Sequence, residues 1–591
     1  MPTYKAPVDE VLFLLNDVLH VERYNNIPGF ADATPDLAEA ILSEAAKFCE
    51  DIATPLNRVG DREGCRRLVD GSVTTPPGFK DAYQKLVAGG WVGAAAPIEY
   101  GGQGLPMVLT QAVREFLYSS NMAFAMYSSL AMGAVAAIFN HGSAEQKTRY
   151  LPKLISGEWA GTMNLTEPQC GTDLGLLRCR AAAQSDGSYR ITGTKIFISA
   201  GEHDLTDNII HLVLARIDGA PAGTKGISLF IVPKFLIASD GTLGARNAVS
   251  CGSIEEKMGI HGNATCVMNY DGATGWLLGE AHRGLAAMFT MMNAARLSVG
   301  TQGLALSEVA YQNAAAYAKE RLAGRAPSGA KFPEKSADPI IVHPDVRRML
   351  MTMRAFNEAA RALILWTALR ADIARRSADA GERAAAEDHL ALLTPVIKGV
   401  LTDRGFANTV LAQQVFGGHG YVAEHGMEQF VRDARITMIF EGANGIQALD
   451  LVGRKLAKDG GRALQTFFAE VSGYLKQRDA DDAMAPYVKP LSQALGQLRE
   501  ATLWFMQNAV GNPENGAAGA TDYMQLFGLV ALGYMWCQII DAAKAASVER
   551  ASEKLALGRF FMDHVLSDAA AHLARIKAGA ASTMALPIEA F

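Results

Sequence analysis

The chain has 591 residues, 49% of them hydrophobic and 20% charged, which is enough for roughly three to five domains with generous cores. Its 55 Lys and Arg stand against 61 Asp and Glu, a net charge of −6 without a basic block, and this disfavours a nucleic-acid partner bound through its phosphates. Seven scattered cysteines without a CxxC pair argue against a disulfide framework or a structural zinc, so no metal is expected and the expected compartment is reducing.

The N-terminal stretch MPTYKAPVDEVLFLLNDVLH mixes acidic with apolar residues, lacks the pattern of a signal or transit peptide, and reads as an amphipathic helix of a cytoplasmic protein. From Pro35 to about Gly161, apolar residues recur at spacings of three and four between stops such as GGWVG, EYGGQG and HGSAEQK, which predicts a helical block. Within it, Phe116 to Asn140 carries no charge and is long enough to cross a bilayer, but its serines and its Ala/Met-rich texture predict a core helix buried on all sides, with no membrane insertion. From roughly 165 to 280 the texture changes to short β-rich runs such as NIIHLVLAR, GISLFIVP and ATCVMNYDG, bounded by Gly, Pro and Asp. Helical periodicity returns at Gly284 and lasts to about Lys458, and further Ala/Leu helices, separated by RDADDAMAP and GNPENGAAGAT, fill the C-terminal part. The expected segments are an extension over 1–36, a helical domain over 37–162, a β domain over 163–282, a helical bundle over 283–458 and an additional helical domain over 459–591. No strand and helix alternation is present to build a doubly wound sheet, so Gly418 to Ala423, which satisfies GxGxxA, lacks the preceding strand that a dinucleotide fingerprint requires.

Four segments carry candidate chemistry. Leu165 to Asp173 joins helix to sheet and holds Thr166 and Thr172 six residues apart, either as a plain solvent turn or as a ligand-contacting loop. In Lys195 to Ser199 a period of two puts Phe197 and Ser199 on one face, an aromatic plane beside a hydroxyl, although a core Phe next to a surface Ser fits the pentapeptide as well. Val400, Ala407, Val410, Leu411 and Gln414 fall on one helical face, so Gly417 and Gly418 should follow the helix end, as a C-cap or as open backbone for a pyrophosphate. Glu441 lies between an apolar run and the glycine-containing turn Gly442 to Gly445, where partial burial would raise its pKa and suit it as a base, whereas an exposed Glu before Gly is the commoner arrangement. Methionines 122, 126, 288, 291 and 292 lie at helical spacing and read first as core filling, with a share of them available to an acyl pocket.

In this order and separation the segments resemble the acyl-CoA dehydrogenase family, together with GGWVGAAAPIEYGGQG, SAEQKTRYLPKLISGEWAGTMNLTEP, EEKMGIHGNATC and GIQALDLVGRK, and the resemblance covers about Leu37 to Lys455. It implies a mostly α fold with a central β-barrel: an N-terminal helical domain, a β domain and a C-terminal four-helix bundle. The length and the added C-terminal helices look like the larger bacterial branch. The implied activity is FAD-dependent α,β-dehydrogenation of an acyl-CoA, either a fatty acyl-CoA or 3-methylmercaptopropionyl-CoA, to the trans-2-enoyl-CoA, with electrons passed to electron-transferring flavoprotein.

By that resemblance Thr166 meets the flavin pyrimidine edge, Phe197 lies against the isoalloxazine, Ser199 donates near N5 and Thr172 reaches the pyrophosphate. Arg321, Gln414, Gly417 and Gly418 match residues that serve the neighbouring subunit's FAD, which implies at least a dimer. The C-terminal helices match a domain that fills the place of a second dimer in smaller tetrameric relatives, which implies a homodimer. Glu441 matches the base that removes the Cα proton while flavin N5 takes the Cβ hydride, and its backbone N–H, with a ribityl hydroxyl, would hold the thioester oxygen. On the substrate side stand Arg296, at the thioester end; Asn293, where many members have an aspartate; Phe440, where Tyr is commoner; and Gly442. Ala443 stands where Thr is usual. Two other readings remain: an acyl-CoA oxidase using O2, and a catalytically silent flavoprotein scaffold subunit.

Overall fold

A computed structural model describes residues 2–545 and 548–591. The chain separates into two compact units, one formed by Met1–Ala46, Pro106–Ser119 and Val299–Phe591, the other by Lys47–Leu105 and Ser120–Ser298. Two long helices, α1 (Met107–His141) and α2 (Gly284–Glu320), have residues in both units. Helix α1 and the C-terminal helix Pro513–Ala543 are both long and apolar enough to cross a membrane, and both are mostly buried within the protein. The charge-free run is therefore core, but it is not one straight rod. Asn121 leaves the helical region (φ −161°, ψ 91°), and its Oδ1 accepts from Phe124 N at 3.0 Å, the local side-chain bond by which Asn competes with the helix ladder.

The sheet-bearing unit begins its sheet earlier than the β-rich texture suggests. Ser143 and Gln146 form a capping box that starts the helix Ala144–Ser156, Gly157 ends it at φ 83°, and strand β1 (Trp159–Asn164) follows at once. β1 is buried along nearly its whole length and pairs in parallel, so it lacks the polar alternation by which strands are recognised. The remaining strands of this sheet are β2 (Arg180–Ala183), β3 (Tyr189–Ser199), β4 (Asn208–Ile217), β5 (Ile227–Pro233), β6 (Val249–Ile254) and β7 (Thr265–Leu278). The barrel expected here is observed as a seven-stranded mixed sheet of order β6-β7-β3-β2-β4-β1, in which β5 pairs with both β7 and β4. β1 and β2 run parallel to β4, and the other pairings are antiparallel. Met288 and Met291 lie in the hydrophobic cluster behind this sheet, which supports the core reading of that methionine stripe.

The same core holds a buried polar chain. His211 Nδ1 lies 2.7 Å from Thr162 Oγ1, Asn164 Nδ2 donates to Thr162 Oγ1 at 2.9 Å, and Tyr270 donates to Asn164 Oδ1 at 2.8 Å. Nε2 of His211 and Nε2 of His203 have no hydrogen-bond partner among the described residues, and burial, reinforced by Lys234, pushes both imidazoles down to about 3. Both rings are thus neutral in the folded unit.

In the other unit α3 (Pro344–Arg376) and α4 (Ala380–Val415) pack side by side, and α4 meets α2 backbone to backbone: a Cβ on Gly405 would lie 2.2 Å from Gly303 O. Asn444–Asp450 is a short helix, α5, and the C-terminal part adds α6 (Arg462–Arg478), α7 (Ala485–Asn508), α8 (Pro513–Ala543), α9 (Val548–Phe560) and α10 (Ala569–Ala578). α8 runs through the interior of the unit, with Gly528 against Val400, Met524 against Gly399, and Trp536 Nε1 donating to Ala355 O at 3.0 Å. Lys554 of α9 pairs with Glu10 at 2.6 Å and Glu358 at 2.7 Å, so the N-terminal extension and the added helices share one buried charge cluster with α3.

A histidine held neutral in the fold but free to protonate at about 6.5 when unfolded stabilises fully above that pH, and its contribution falls as the pH drops toward the folded value. The midpoint of urea unfolding of the sheet-bearing unit should therefore decline from pH 7 to pH 4, and His211→Gln should decline less steeply. Equal slopes for the two proteins would show that His211 does not carry this pH dependence.

Candidate active site

In the sheet-bearing unit, two of the singled-out segments come together. Ile196 N donates to Thr166 O at 2.9 Å, and Lys195 Nζ donates to Leu165 O at 2.9 Å and to Glu167 Oε1 at 2.8 Å. Lys195 and Glu167 are buried, and the Glu167 carboxylate also accepts from Arg178 N at 2.7 Å and Cys179 N at 3.0 Å. Burial alone would raise the Glu167 carboxyl, but Lys195 and the two backbone donors outweigh it and hold it below the usual range. The loop after β1 is thereby tied to the end of β3. Gly171 folds back so that a Cβ there would lie 3.3 Å from Thr166 Cγ2, and Thr172 next to it is exposed.

Phe197 is at φ +59° and is 60% exposed, an uncommon state for a bulky aromatic within a strand. Its cause is in the register: Cys266 faces Ile198 but Met268 faces Lys195, so Ile196 and Phe197 together oppose Val267 in a β-bulge. Plain alternation would give Phe197 and Ser199 the parity of the buried Ile191 and Lys195. The bulge reverses this, so Ile198 goes inward while Phe197 and Ser199 share the outer face. The period of two keeps the two residues on one face, and the bulge decides that this face is the outer one. An exposed ring on a strand end that also carries Ser199, bonded through the Ile196 backbone to the loop carrying Thr166, suits a flat heterocycle that exchanges hydrogen bonds at its rim. On the α2 residues of this unit, Asn293 is exposed and Arg296 is buried with its guanidinium 5.9 Å from the Phe289 ring centroid.

In the helical unit, Arg321 and the Gln414–Gly418 turn are joined through Tyr317. Arg321 N donates to Tyr317 O at 2.8 Å, and the Tyr317 ring stacks on Phe416 at 4.1 Å and bonds His419 Nδ1 at 3.0 Å. Gln414, Gly417 and Gly418 are exposed, Gly417 sits at φ 57°, and a Cβ on either glycine would meet nothing within 4 Å. These glycines are not required for packing; Gly417 N donates to Gln414 O at 2.9 Å, so it is the exposed backbone of Gly418, with the exposed Arg321, that suits a pyrophosphate. Of the residues read as one face of α4, Val400 is buried, Leu411 is half-buried and Ala407, Val410 and Gln414 are exposed, while Leu401, Gly405, Asn408, Ala412 and Val415 are buried. At Gly405 α2 passes backbone to backbone, which requires a small residue there.

Glu441 is half-buried at φ +57°, followed by Gly442 at φ +87°, with Phe440 half-buried before it. A left-handed non-glycine residue costs about 1–3 kcal/mol and needs neighbours that hold it. Gln447 Nε2 donates to Gly442 O at 3.1 Å and lies 3.5 Å from Glu441 O, and Asn444 fastens the start of α5 to α4. Sequence reasoning missed Glu167, Gln447 and Asn444 as parts of the site. Lys195 carried one signal, a cation at a position with the parity of Ile191.

Family descriptions match successive segments of the chain: acyl-CoA dehydrogenase N-terminal domain over 36–158, middle domain over 162–273 and C-terminal domain over 282–456, then acetyl-CoA dehydrogenase C-terminal like over 467–587. The chain is 41% identical to 3-methylmercaptopropionyl-CoA dehydrogenase of Ruegeria pomeroyi over 97% of its own length and 98% of that protein's. It is 37% identical to the broad-specificity linear acyl-CoA dehydrogenase FadE5 of Mycobacterium tuberculosis, over 81% of this chain and 78% of that one. Its fold matches the acyl-CoA dehydrogenase of Bacillus anthracis solved in complex with FAD, at a TM-score of 0.76 and 22% identity over 91% of this chain and 88% of that one. These matches define an oxidoreductase acting on CH–CH donors. The chain belongs to the acyl-CoA dehydrogenase family.

Breaking a buried ion pair from one side leaves a bare charge and costs about 3–5 kcal/mol. Lys195→Met should destabilise the sheet-bearing unit by about that amount in chemical denaturation and lower the flavin content of the purified protein. A loss below about 1 kcal/mol with full flavin content would show that the pair does not hold the loop.

Proposed function

We propose that this protein catalyses α,β-dehydrogenation of an acyl-CoA thioester to the trans-2-enoyl-CoA, with a fatty acyl-CoA or 3-methylmercaptopropionyl-CoA as substrate. The observation that carries this reading is Glu441, a half-buried carboxylate held in a left-handed turn at the position matching the family base. Its carboxylate removes the Cα proton, and its backbone N–H donates to the thioester oxygen, stabilising enolate charge as it develops.

Bound FAD supplies the hydride acceptor for the Cβ hydrogen. Phe197 gives its ring a face, Thr166 and Ser199 bond its edge, and Thr172 reaches its pyrophosphate. Arg321, Gln414, Gly417 and Gly418 serve the pyrophosphate of a second protomer's FAD, so the active form is a homodimer. Exposed apolar residues near that turn, Val410, Tyr421 and Val422, support a partner surface there. Arg296 serves the thioester end of the substrate, Asn293 its CoA portion, and Phe440 and Gly442 flank the reacting carbons. Electron-transferring flavoprotein takes the electrons onward. The five segments 1–36, 37–162, 163–282, 283–458 and 459–591 are the corresponding division of labour.

Glu441→Gln keeps the size of the side chain and removes its basicity. The variant should purify yellow with full FAD, while anaerobic bleaching by acyl-CoA slows by about 10²–10⁴-fold, as expected for loss of a general base. Bleaching at the parental rate would refute the assignment.

A further inference from the structure

Asn444 opens helix α5 three residues after Glu441, and the residue before it, Ala443, makes no side-chain cap. The Asn444 side chain instead reaches back to α4: Nδ2 donates to Gly399 O at 3.1 Å, Thr402 Oγ1 at 2.9 Å and Asp403 Oδ1 at 2.6 Å, and Oδ1 accepts from Lys398 Nζ at 2.7 Å. Asn444 is 9% exposed, and Lys398 and Thr402 are fully buried. The second oxygen of Asp403 accepts from Gln525 Nε2 at 2.7 Å, and Gln525 belongs to α8 in the added C-terminal segment. A line of hydrogen bonds therefore runs from α8 through Asp403 to Asn444, which the chain joins directly to the turn that holds Glu441 at positive φ.

The packing around this line is tight. A Cβ on Gly399 would lie 2.4 Å from Met524 Cε, and one on Gly528 would lie 2.6 Å from Val400 Cγ2, so α8 lies along α4 on either side of Gln525. Burial raises the Asp403 carboxyl above its ordinary range, and the Asn444 amide opposes that shift; Gln525 adds a second donor to the ionised form. Because Asp403 uses one oxygen for each amide, loss of Gln525 frees the carboxylate to rotate and weakens its bond to Asn444, the shortest of those that fix this side chain. A shift of about 1 Å at a catalytic group is enough to cost up to about 10²-fold in rate.

We propose that Gln525 is a positioning residue for Glu441, acting through Asp403 and Asn444, so that the added C-terminal helices set the alignment of the base. The inference rests on Glu441 being that base. Gln525→Met conserves volume and removes the donor; Gln525→Asn keeps the amide but shortens its reach. In the holoenzyme both should lower kcat by about tenfold, with KM for acyl-CoA and FAD content within about twofold of the parent. The Cα-deuterium isotope effect on flavin reduction should rise, because a misaligned base makes proton removal slower relative to the other steps. Asn444→Ala should lower kcat too, and adding Gln525→Met to it should cost little more, since the two act in one line.

Unchanged kcat in both Gln525 variants, an unchanged isotope effect, or a drop that simply multiplies that of Asn444→Ala would each overturn the inference. Those results leave the chemistry of Glu441 intact if Glu441→Gln is still inactive. Full activity of Glu441→Gln would instead overturn the reading on which the inference rests.

Discussion

The helical unit is organised around one local conflict: Glu441 occupies a backbone region that its own side chain disfavours. Nothing in the peptide itself keeps it there. Gly442, at positive φ without penalty, lets the turn complete; Gln447 clamps the two carbonyls; Asn444 ties the next helix to α4. Each of these partners is in turn held by buried elements, so the strain at one residue is balanced by packing distributed over α4, α5 and α8.

The sheet-bearing unit solves a similar problem by another route. Phe197 must leave the core-facing row of β3 to be available to a ligand, and one extra residue in the ladder does this by inverting the parity of the strand end. A bulge by itself would loosen the ladder. The Lys195–Glu167 pair, satisfied by backbone donors on the carboxylate side, fastens that strand end to the loop carrying Thr166. In both units an irregular backbone presents the chemical group and a buried polar cluster keeps the irregularity in one state.

The order of helices, sheet and helices was legible from periodicity and turn residues, and the motifs around Phe197, Gly417 and Glu441 drew attention to segments where the backbone departs from regular geometry. Strand β1 was hidden because a parallel, buried strand lacks alternation. Burial along α4 does not follow apolarity alone, because the close crossing with α2 needs glycine at 405 while Val410 lies outside. The positive φ of Glu441 and Phe197 leaves no compositional trace, since neither is the glycine that such positions favour. Asp403 and Gln525 were invisible for a plainer reason: their bond joins positions 122 residues apart, a distance over which a single sequence carries no pairing signal.

The central claim is that the strained turn exists to present Glu441 to the substrate carbon. The most direct measurement is a crystal structure of the FAD-loaded protein with a non-reactive acyl-CoA analogue. The account predicts a Glu441 carboxylate oxygen about 3–3.5 Å from Cα, with Glu441 still at positive φ and its backbone N–H on the thioester oxygen. A Glu441 turned away from Cα, with a different carboxylate in its place, would contradict it.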